Sequence, residues 1–306
     1  MVALCRQPES LADLRRPSLR IATGDLGDPA SWTPLLAGVG SVFHLAGLRN
    51  HPRVHRREMK AVNVDATLTL ARKAREAGVE RFVYVATALI YGPSEDGRAH
   101  TEQSGLDPAP ALYARSKAEA VRGLRALIGE GLPAVIACPS IVFGPDHPSH
   151  PNRITSEIRR LLKGGPRLWM AGGRQARNLV FVDDVIGGLL AAEARGVVGE
   201  EYLLAGEEVS LRELAEQVAV EAAARGVASS RLAFSLPAGW ALAGATIVDR
   251  LRGQEAGAGY ATAVRNLLRE WRFSSAKAAR DLGYRPRPLA AGLIRTIDAL
   301  LPVGDR

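Results

Sequence analysis

Cysteine is almost missing from this chain of 306 residues: Cys5 and Cys138 are its only thiols. They stand far apart in apolar runs, so they read as small buried hydrophobes of a reducing compartment, not as a disulfide-stapled secreted scaffold. Lysine is scarce as well. Lys60, Lys73, Lys117, Lys163 and Lys277 are the only five, and the formal charge of +8 rests almost wholly on arginine. Those arginines are interleaved with acids, as in ARKAREAGVER (71–81), and no run of five like charges occurs. A solvated surface accounts for that pattern, so no nucleic-acid face is needed to explain it, and an anionic small-molecule substrate is compatible with it. No apolar stretch reaches the roughly 18 residues of a membrane span. MVALCRQPES (1–10) is too short in apolar length for a signal peptide, which points to the cytoplasm. The longest apolar candidate, LPAGWALAGATIVDRL (236–251), carries Pro237 near its start and Asp249 and Arg250 near its end. It is expected to form a helix that packs on the core or lies over a substrate pocket.

What is present alternates. VALC (2–5), LRIAT (19–23), SVFHLA (41–46), RFVYVAT (81–87) and PAVIACPS (133–140) are short and apolar on both faces, as strands of a covered parallel sheet are. Between them lie ESLADLRR, PASWTPLLAG, NVDATLTLARKAREAG and YARSKAEAVRGLRALIGEG, of helical period, several of them ending in glycine. Alternating strands and helices predict an α/β doubly wound parallel sheet over 1–145, with 178–200 returning to it. Beyond Pro145 come Pro- and Gly-rich loops and then mostly helices, giving a smaller, mostly helical C-terminal substrate domain from 146–177 and 201–306. SLREL opens one helix with a capping box, Ser210 reaching Glu213.

Tyr113 and Lys117, in ALYARSKAEA (111–120), stand four residues apart on a predicted helix. Neighbours at that spacing share a face by chance in many helices. The chemical reading is that an ammonium beside a phenol lowers its ordinary pKa near 10 and makes it a usable acid–base. Thr87 ends the strand RFVYVAT, at the edge where a parallel sheet presents ligands, one βα unit before that helix. A hydroxyl at a strand tip followed by Tyr and Lys outlines a hydride-transfer site. Tyr113 exchanges a proton with a carbonyl oxygen, Thr87 bonds the same oxygen, and Lys117 tunes the phenol and holds a ribose. Asn63, in VNVDAT, is read as a structural hydrogen-bonding residue, His44 as a strand-end residue near the cofactor and not a metal ligand, and Asp183 and Asp184 as caps of the following helix. His147 and His150 among prolines are read as loop, so no metal is expected.

Six segments in order resemble the extended short-chain dehydrogenase/reductases, the NAD-dependent epimerase/dehydratase family. They are GDLGDPASWTPLLAGVGSVFHLAG (24–47), VATALIYG (85–92), YARSK (113–117), CPSIVFGP (138–145), RNLVFVDDV (177–185) and RFSSAKAARDLGYRPRP (272–288). The last looks most like the dihydroflavonol-reductase-like and hopanoid-associated sugar epimerase members. The resemblance implies a Rossmann-like fold and Thr87, Tyr113 and Lys117 as the catalytic set. It implies that Asp25 and Leu26 border the adenine, that Ala46 and Gly47 line the cofactor, and that Pro139 and Ser140 sit beside the nicotinamide. Arg177 would meet a substrate phosphate or other anion. Arg6 follows the first strand where NAD-preferring members place an acid; a cation there suits a 2′-phosphate, so the cofactor is NAD or NADP, with NADP slightly favoured.

Two departures shape the expectation. Ala88 and Leu89 follow Thr87 where sugar 4,6-dehydratase members carry an acidic pair, which argues against water elimination. The family also opens with a strand, a glycine-rich turn and a helix that bind the pyrophosphate, about 25–30 residues in all, and this chain starts at the strand after them. GVGSV (38–42) precedes a strand, and AGAGY (256–260) follows none. The start is therefore expected to be either misplaced or truncated, leaving the first strand missing, a gap in the sheet and weak NAD(P) binding. The leading functional reading is a nucleotide-sugar epimerase with transient oxidation at Tyr113. The alternative is a dihydroflavonol-reductase-like or hydroxysteroid-type ketone reductase, favoured by the apolar 236–251 segment. From another class comes a non-catalytic dinucleotide sensor or truncated inactive protein. A homodimer is compatible with each.

Overall fold

The computed structural model describes residues 1–14, 16–51, 53–146, 152–227 and 232–301. The first part of the chain runs β1 (Val2–Cys5), β2 (Arg20–Thr23), β3 (Ser41–His44), α1 (Arg56–Lys60), α2 (Thr67–Glu76), β4 (Arg81–Val85), α3 (Leu112–Gly129) and β5 (Ala134–Pro139). The second runs β6 (Ile141–Phe143), α4 (Arg153–Leu162), β7 (Arg167–Met170), β8 (Ala176–Phe181), α5 (Val182–Arg195), β9 (Glu201–Leu204), β10 (Glu207–Ser210), α6 (Leu211–Ala223), β11 (Ala233–Leu236), α7 (Ala238–Leu251), α8 (Tyr260–Leu267), α9 (Ala276–Leu282) and α10 (Leu289–Leu300).

Strands β3, β4, β5 and β9 lie side by side in that order, all parallel. The interior of this ladder is dry. Phe82, Val83 and Tyr84 of β4 and Ala134 to Cys138 of β5 are fully buried, which is why their sequences are apolar on both faces. Helix α3 lays Ala114, Ala118, Val121 and Leu124 against one side, at helical spacing. Helix α5 covers the other with Val185, Leu189 and Ala192, packed against Val83, Val135 and Ala137. Strands β1 and β2 form a separate parallel pair, and among the described residues no ladder joins it to β3. The expected helix ESLADLRR is a 3₁₀ stretch, Pro8–Leu14, that buries no residue, so nothing apolar stabilises a full helix there.

The C-terminal part is richer in strands than expected. Strand β8 is flanked by β6, parallel, and β10, antiparallel, while β7 pairs with β11. A second core of Phe143, Ile158, Leu161, Phe181, Leu214, Val218, Leu293 and Ile297 lies beneath α4, α6 and α10. The boundaries need adjusting. Residues 201–204 belong to the parallel sheet beside β5, four residues past the expected return over 178–200. Their residues are buried without exception, so β9 reads as a core strand. The Ser210–Glu213 capping box is formed in both directions. Asp183 and Asp184 do not cap. They lie in the first turn of α5, and Asp184 takes Arg287 Nε at 2.9 Å while Asp183 pairs with Arg295 at 2.7 Å.

His44 ends β3 fully buried, its Nε2 2.8 Å from Thr67 Oγ1. Burial, helped by the Lys117 ammonium, pushes the imidazole down to about 3. The unfolded chain therefore takes up a proton below pH about 6.5 that the folded chain refuses. This contribution to stability is present above pH about 6.5 and is lost as the pH falls toward 3. Between pH 6.5 and 5 the loss is about 2 kcal/mol from this one group. Thermal melts of the chain and of His44→Gln over that range test it: the variant's decline is expected to be shallower by that amount, and parallel declines would refute the assignment.

Candidate active site

Strands β3, β4, β5 and β9 point their C-terminal ends at one edge of the ladder, and the expected site residues follow strand ends there or in the β1–β2 pair. Arg6 leaves β1 exposed. Asp25 follows β2, exposed, its Oδ1 accepting the Gly27 N–H at 2.8 Å. Leu26 is half-buried, and its carbonyl accepts Trp32 Nε1 at 3.2 Å. Ala46 and Gly47 follow β3 and are exposed. Thr87 follows β4, largely buried, and accepts the Leu89 N–H at 3.4 Å, capping a one-turn helix over 88–91. Pro139 and Ser140 end β5, and the buried Ser140 Oγ has no partner among the described residues. Thr87, Pro139 and Ser140 thus adjoin one ladder, while Arg6, Asp25 and Leu26 belong to the separate β1–β2 pair. His147 and His150 lie outside the described residues, and among those described no three His, Cys, Asp or Glu side chains gather as a metal site.

Lys117 is the centre of this edge. It is 3% exposed, donates to the Val85 carbonyl at 2.8 Å and stands 4.7 Å over the Tyr84 ring. Burial lowers its ammonium to about 8. A methyl group on Gly47 would lie 3.4 Å from Lys117 Nζ and 3.1 Å from Asn63 Oδ1. Gly47 therefore lets the backbone after β3 pack closely against Asn63 and the buried cation. That buried cation and the unpartnered Ser140 Oγ, a donor and a hydroxyl at the ends of neighbouring strands, fit the nicotinamide–ribose end of a dinucleotide.

The pairing of Lys117 with Tyr113 needs correction. Lys117 faces Tyr84, and Tyr113 is pushed up to about 12 by its low-dielectric surroundings, against a downward pull from Arg49. Arg49 was not singled out in the sequence, although LRN (48–50) leaves β3 directly. Asn50 was missed too: its Oδ1 accepts the Tyr113 N–H at 2.9 Å, fixing the first turn of α3. The Tyr84 hydroxyl, fully buried, has no partner among the described residues.

Asn63 sits where residues 61–66, between α1 and α2, widen into a π turn, a distortion that nature often keeps near sites. It is fully buried. Its Oδ1 accepts the Leu48 N–H at 2.7 Å, and its Nδ2 reaches the Leu48 carbonyl at 2.9 Å, Ser116 Oγ at 2.9 Å and Met59 Sδ at 3.0 Å. One amide so binds the loop carrying Gly47 and Arg49 to the helix carrying Tyr113 and Lys117.

Arg177 is 5% exposed at the start of β8. Its two terminal nitrogens donate to the Asn266 and Leu267 carbonyls, the exposed end of α8, as a basic side chain does at a helix C-terminus. Only the buried Nε remains without a partner among the described residues. Arg153 lies near enough to help burial lower this guanidinium to about 10.

The chain matches the NAD dependent epimerase/dehydratase family over residues 1–205, and it belongs to that family. Among curated proteins it is 33% identical over 212 residues to y4nL, an uncharacterized protein of Sinorhizobium fredii, covering 67% of this chain and 57% of the relative. It is 28% identical over 294 residues to the 4-hydroxy-2-methyl-3-oxo-4-farnesyl-3,4-dihydroquinoline-1-oxide ketoreductase of Stigmatella aurantiaca, covering 93% of this chain and 84% of the relative. Among solved structures, a double mutant of the dTDP-glucose 4,6-dehydratase DesIV of Streptomyces venezuelae, with NAD and DAU bound, superposes with a TM-score of 0.76 at 27% identity, over 97% of this chain and 86% of that one. The chain thus has the fold of this family, and it spans a little over half the length of that first curated relative.

Replacing Asn63 by Ala orphans both Leu48 backbone groups. At about 1–3 kcal/mol for each buried polar group left unpaired, the variant is expected to lose about 3 kcal/mol in urea unfolding. A loss below about 1 kcal/mol would show that Asn63 does not join the loop to α3.

Proposed function

We propose that this protein interconverts a ketone and a secondary alcohol with a bound nicotinamide dinucleotide, Tyr113 moving the proton and Thr87 holding the substrate oxygen. The observation that carries the reading is the buried Lys117 ammonium fixed at the end of β4 with the backbone of Gly47 packed close beside it. Lys117 and Ser140 hold the ribose and nicotinamide, and when bound the nicotinamide supplies or accepts the hydride. Arg6 favours NADP over NAD, and the cytoplasm suits the reduced thiols.

Tyr113 stays protonated at neutral pH, so it is poised to donate to a ketone oxygen. Proton donation to a ketone needs no prior ionisation of the phenol there. The oxidative direction needs the phenolate and is expected to gain with rising pH. Two observations favour an apolar ketone. Arg177 is engaged with α8, and the match to the ketoreductase named for a farnesyl-bearing dihydroquinoline covers 93% of this chain. The second reading, nucleotide-sugar epimerisation, draws on the free Arg177 Nε beside Arg153. Ala88 is buried in the core and Leu89 is apolar, so neither supplies a carboxyl for water elimination.

Cofactor turnover separates the two readings. An apolar polycyclic ketone should consume NADPH or NADH stoichiometrically, whereas an epimerase returns its cofactor at each cycle. Tyr113→Phe is expected to lower turnover roughly 10²–10⁴-fold with an unchanged melt, because only the phenolic oxygen is lost. Unchanged turnover in this variant would remove Tyr113 from the chemistry. Ketone reduction should also decline above pH about 8, where Lys117 loses its charge. A profile flat through pH 10 would separate Lys117 from the reaction.

A further inference from the structure

Helix α7 buries only Ala241 and turns most of its large apolar residues outward. Trp240 is 76% exposed, Ile247 56% and Leu251 83%, and the intervening Gly244 is exposed too. These positions recur at the spacing of one helical stripe, along about 21 Å of a 14-residue helix. Strand β11 leads into it through Pro237 and exposes Phe234 and Leu236, two residues apart and so on one face. Exposed apolar surface of this extent marks a contact site.

The charges around it say what it contacts. Arg250 and Arg252 close the C-terminal end of α7, Arg265 stands on α8, and Arg174 lies on the turn that hydrogen-bonds Ser235 of β11 through Gly172; all four are exposed. The two acids among them, Asp249 and Glu255, are engaged by backbone N–H groups. Asp249 accepts the Tyr260 and Ala261 N–H groups at the start of α8, and Glu255 accepts the Arg56 N–H. An exposed stripe of Trp, Ile and Leu edged by arginine is the pattern of a helix lying in a bilayer interface. A second copy would bring the same arginines toward each other.

We infer that β11 and α7 form a face that docks on an anionic lipid surface. This rests on the reading of an apolar ketone as substrate, and it gives that substrate a route: the loop after α7 accepts the Leu112 N–H through the Gly257 carbonyl, next to Tyr113.

The test is flotation of the full chain with vesicles of phosphatidylglycerol and phosphatidylcholine, and with phosphatidylcholine alone. The chain should float with the anionic vesicles and hardly with the neutral ones. Arg250→Gln and Arg252→Gln should each weaken partitioning about fivefold. Trp240→Ser with Leu251→Ser should abolish it while leaving the thermal melt unchanged. Brominated acyl chains should quench the wild type and spare Trp240→Phe. Failure to float with anionic vesicles would overturn the inference, as would flotation that survives the Trp240 and Leu251 changes. So would light scattering that shows a dimer lost in those variants, since the face would then close on a second copy. Reduction of a short water-soluble ketone without vesicles reports on the catalytic reading separately.

Discussion

The site depends on keeping one ammonium inside the protein. Lys117 is nearly inaccessible, and a buried cation is costly unless its hydrogens are met. The Val85 carbonyl meets one, and the face of Tyr84 supplies a negative quadrupole beneath it. Both partners come from β4, so the charge ties α3 to the central strand at the level where ligands bind. The rest of the edge is arranged about it. His44 stays neutral beside it, Gly47 lets the backbone approach it, and Asn63 bonds the Gly47 loop to α3. The same burial that lowers Lys117 raises Tyr113, so the two groups are driven toward their uncharged forms by one low-dielectric region.

The parallel sheet was legible because its strands are apolar on both faces, a pattern surface helices do not make. Strands β2, β3, β4 and β5 fall inside the segments read from sequence. Strands β7, β8, β10 and β11 were hidden among loops, being four to six residues long, and the capping box of α6 was the one clear local signal there. Strand β9 went unassigned because nothing in EYLL distinguishes a core strand from a helix start; its neighbour β5 decides. Tertiary contact likewise decides at Asp183 and Asp184, which meet arginines more than a hundred residues away instead of backbone N–H groups.

Residue types of the site were legible, and their pairings were not. Spacing alone places Tyr113 and Lys117 on one face of α3, but it does not say that the lysine reaches back to β4 while the tyrosine lies with Met59, Leu112 and Ala258. Arg49 and Asn50 carry no motif of their own. They matter because the chain after β3 passes the start of α3, a fact of topology. Arg177 shows the reverse: its motif suggested an anion, and the fold turned two of its nitrogens to the carbonyls of α8.

The N-terminus of α3 shows how the two halves of the chain act on one tyrosine. This helix has no side-chain cap at Ala111, so its first N–H groups need partners from elsewhere. The Leu112 N–H takes the Gly257 carbonyl at 3.0 Å and the Tyr113 N–H takes Asn50. Gly257 reaches that position at φ +93°, where a Cβ would lie 2.6 Å from the Pro110 carbonyl, so the approach needs glycine. The loop between α7 and α8 is thereby part of the structure that aims the phenol. The Asn50 side chain, its Nδ2 3.5 Å from the same Gly257 carbonyl and its Oδ1 on the Tyr113 N–H, adds a second link, so hydrogen bonds join the loop after α7 to the first turn of α3 on both sides of Leu112.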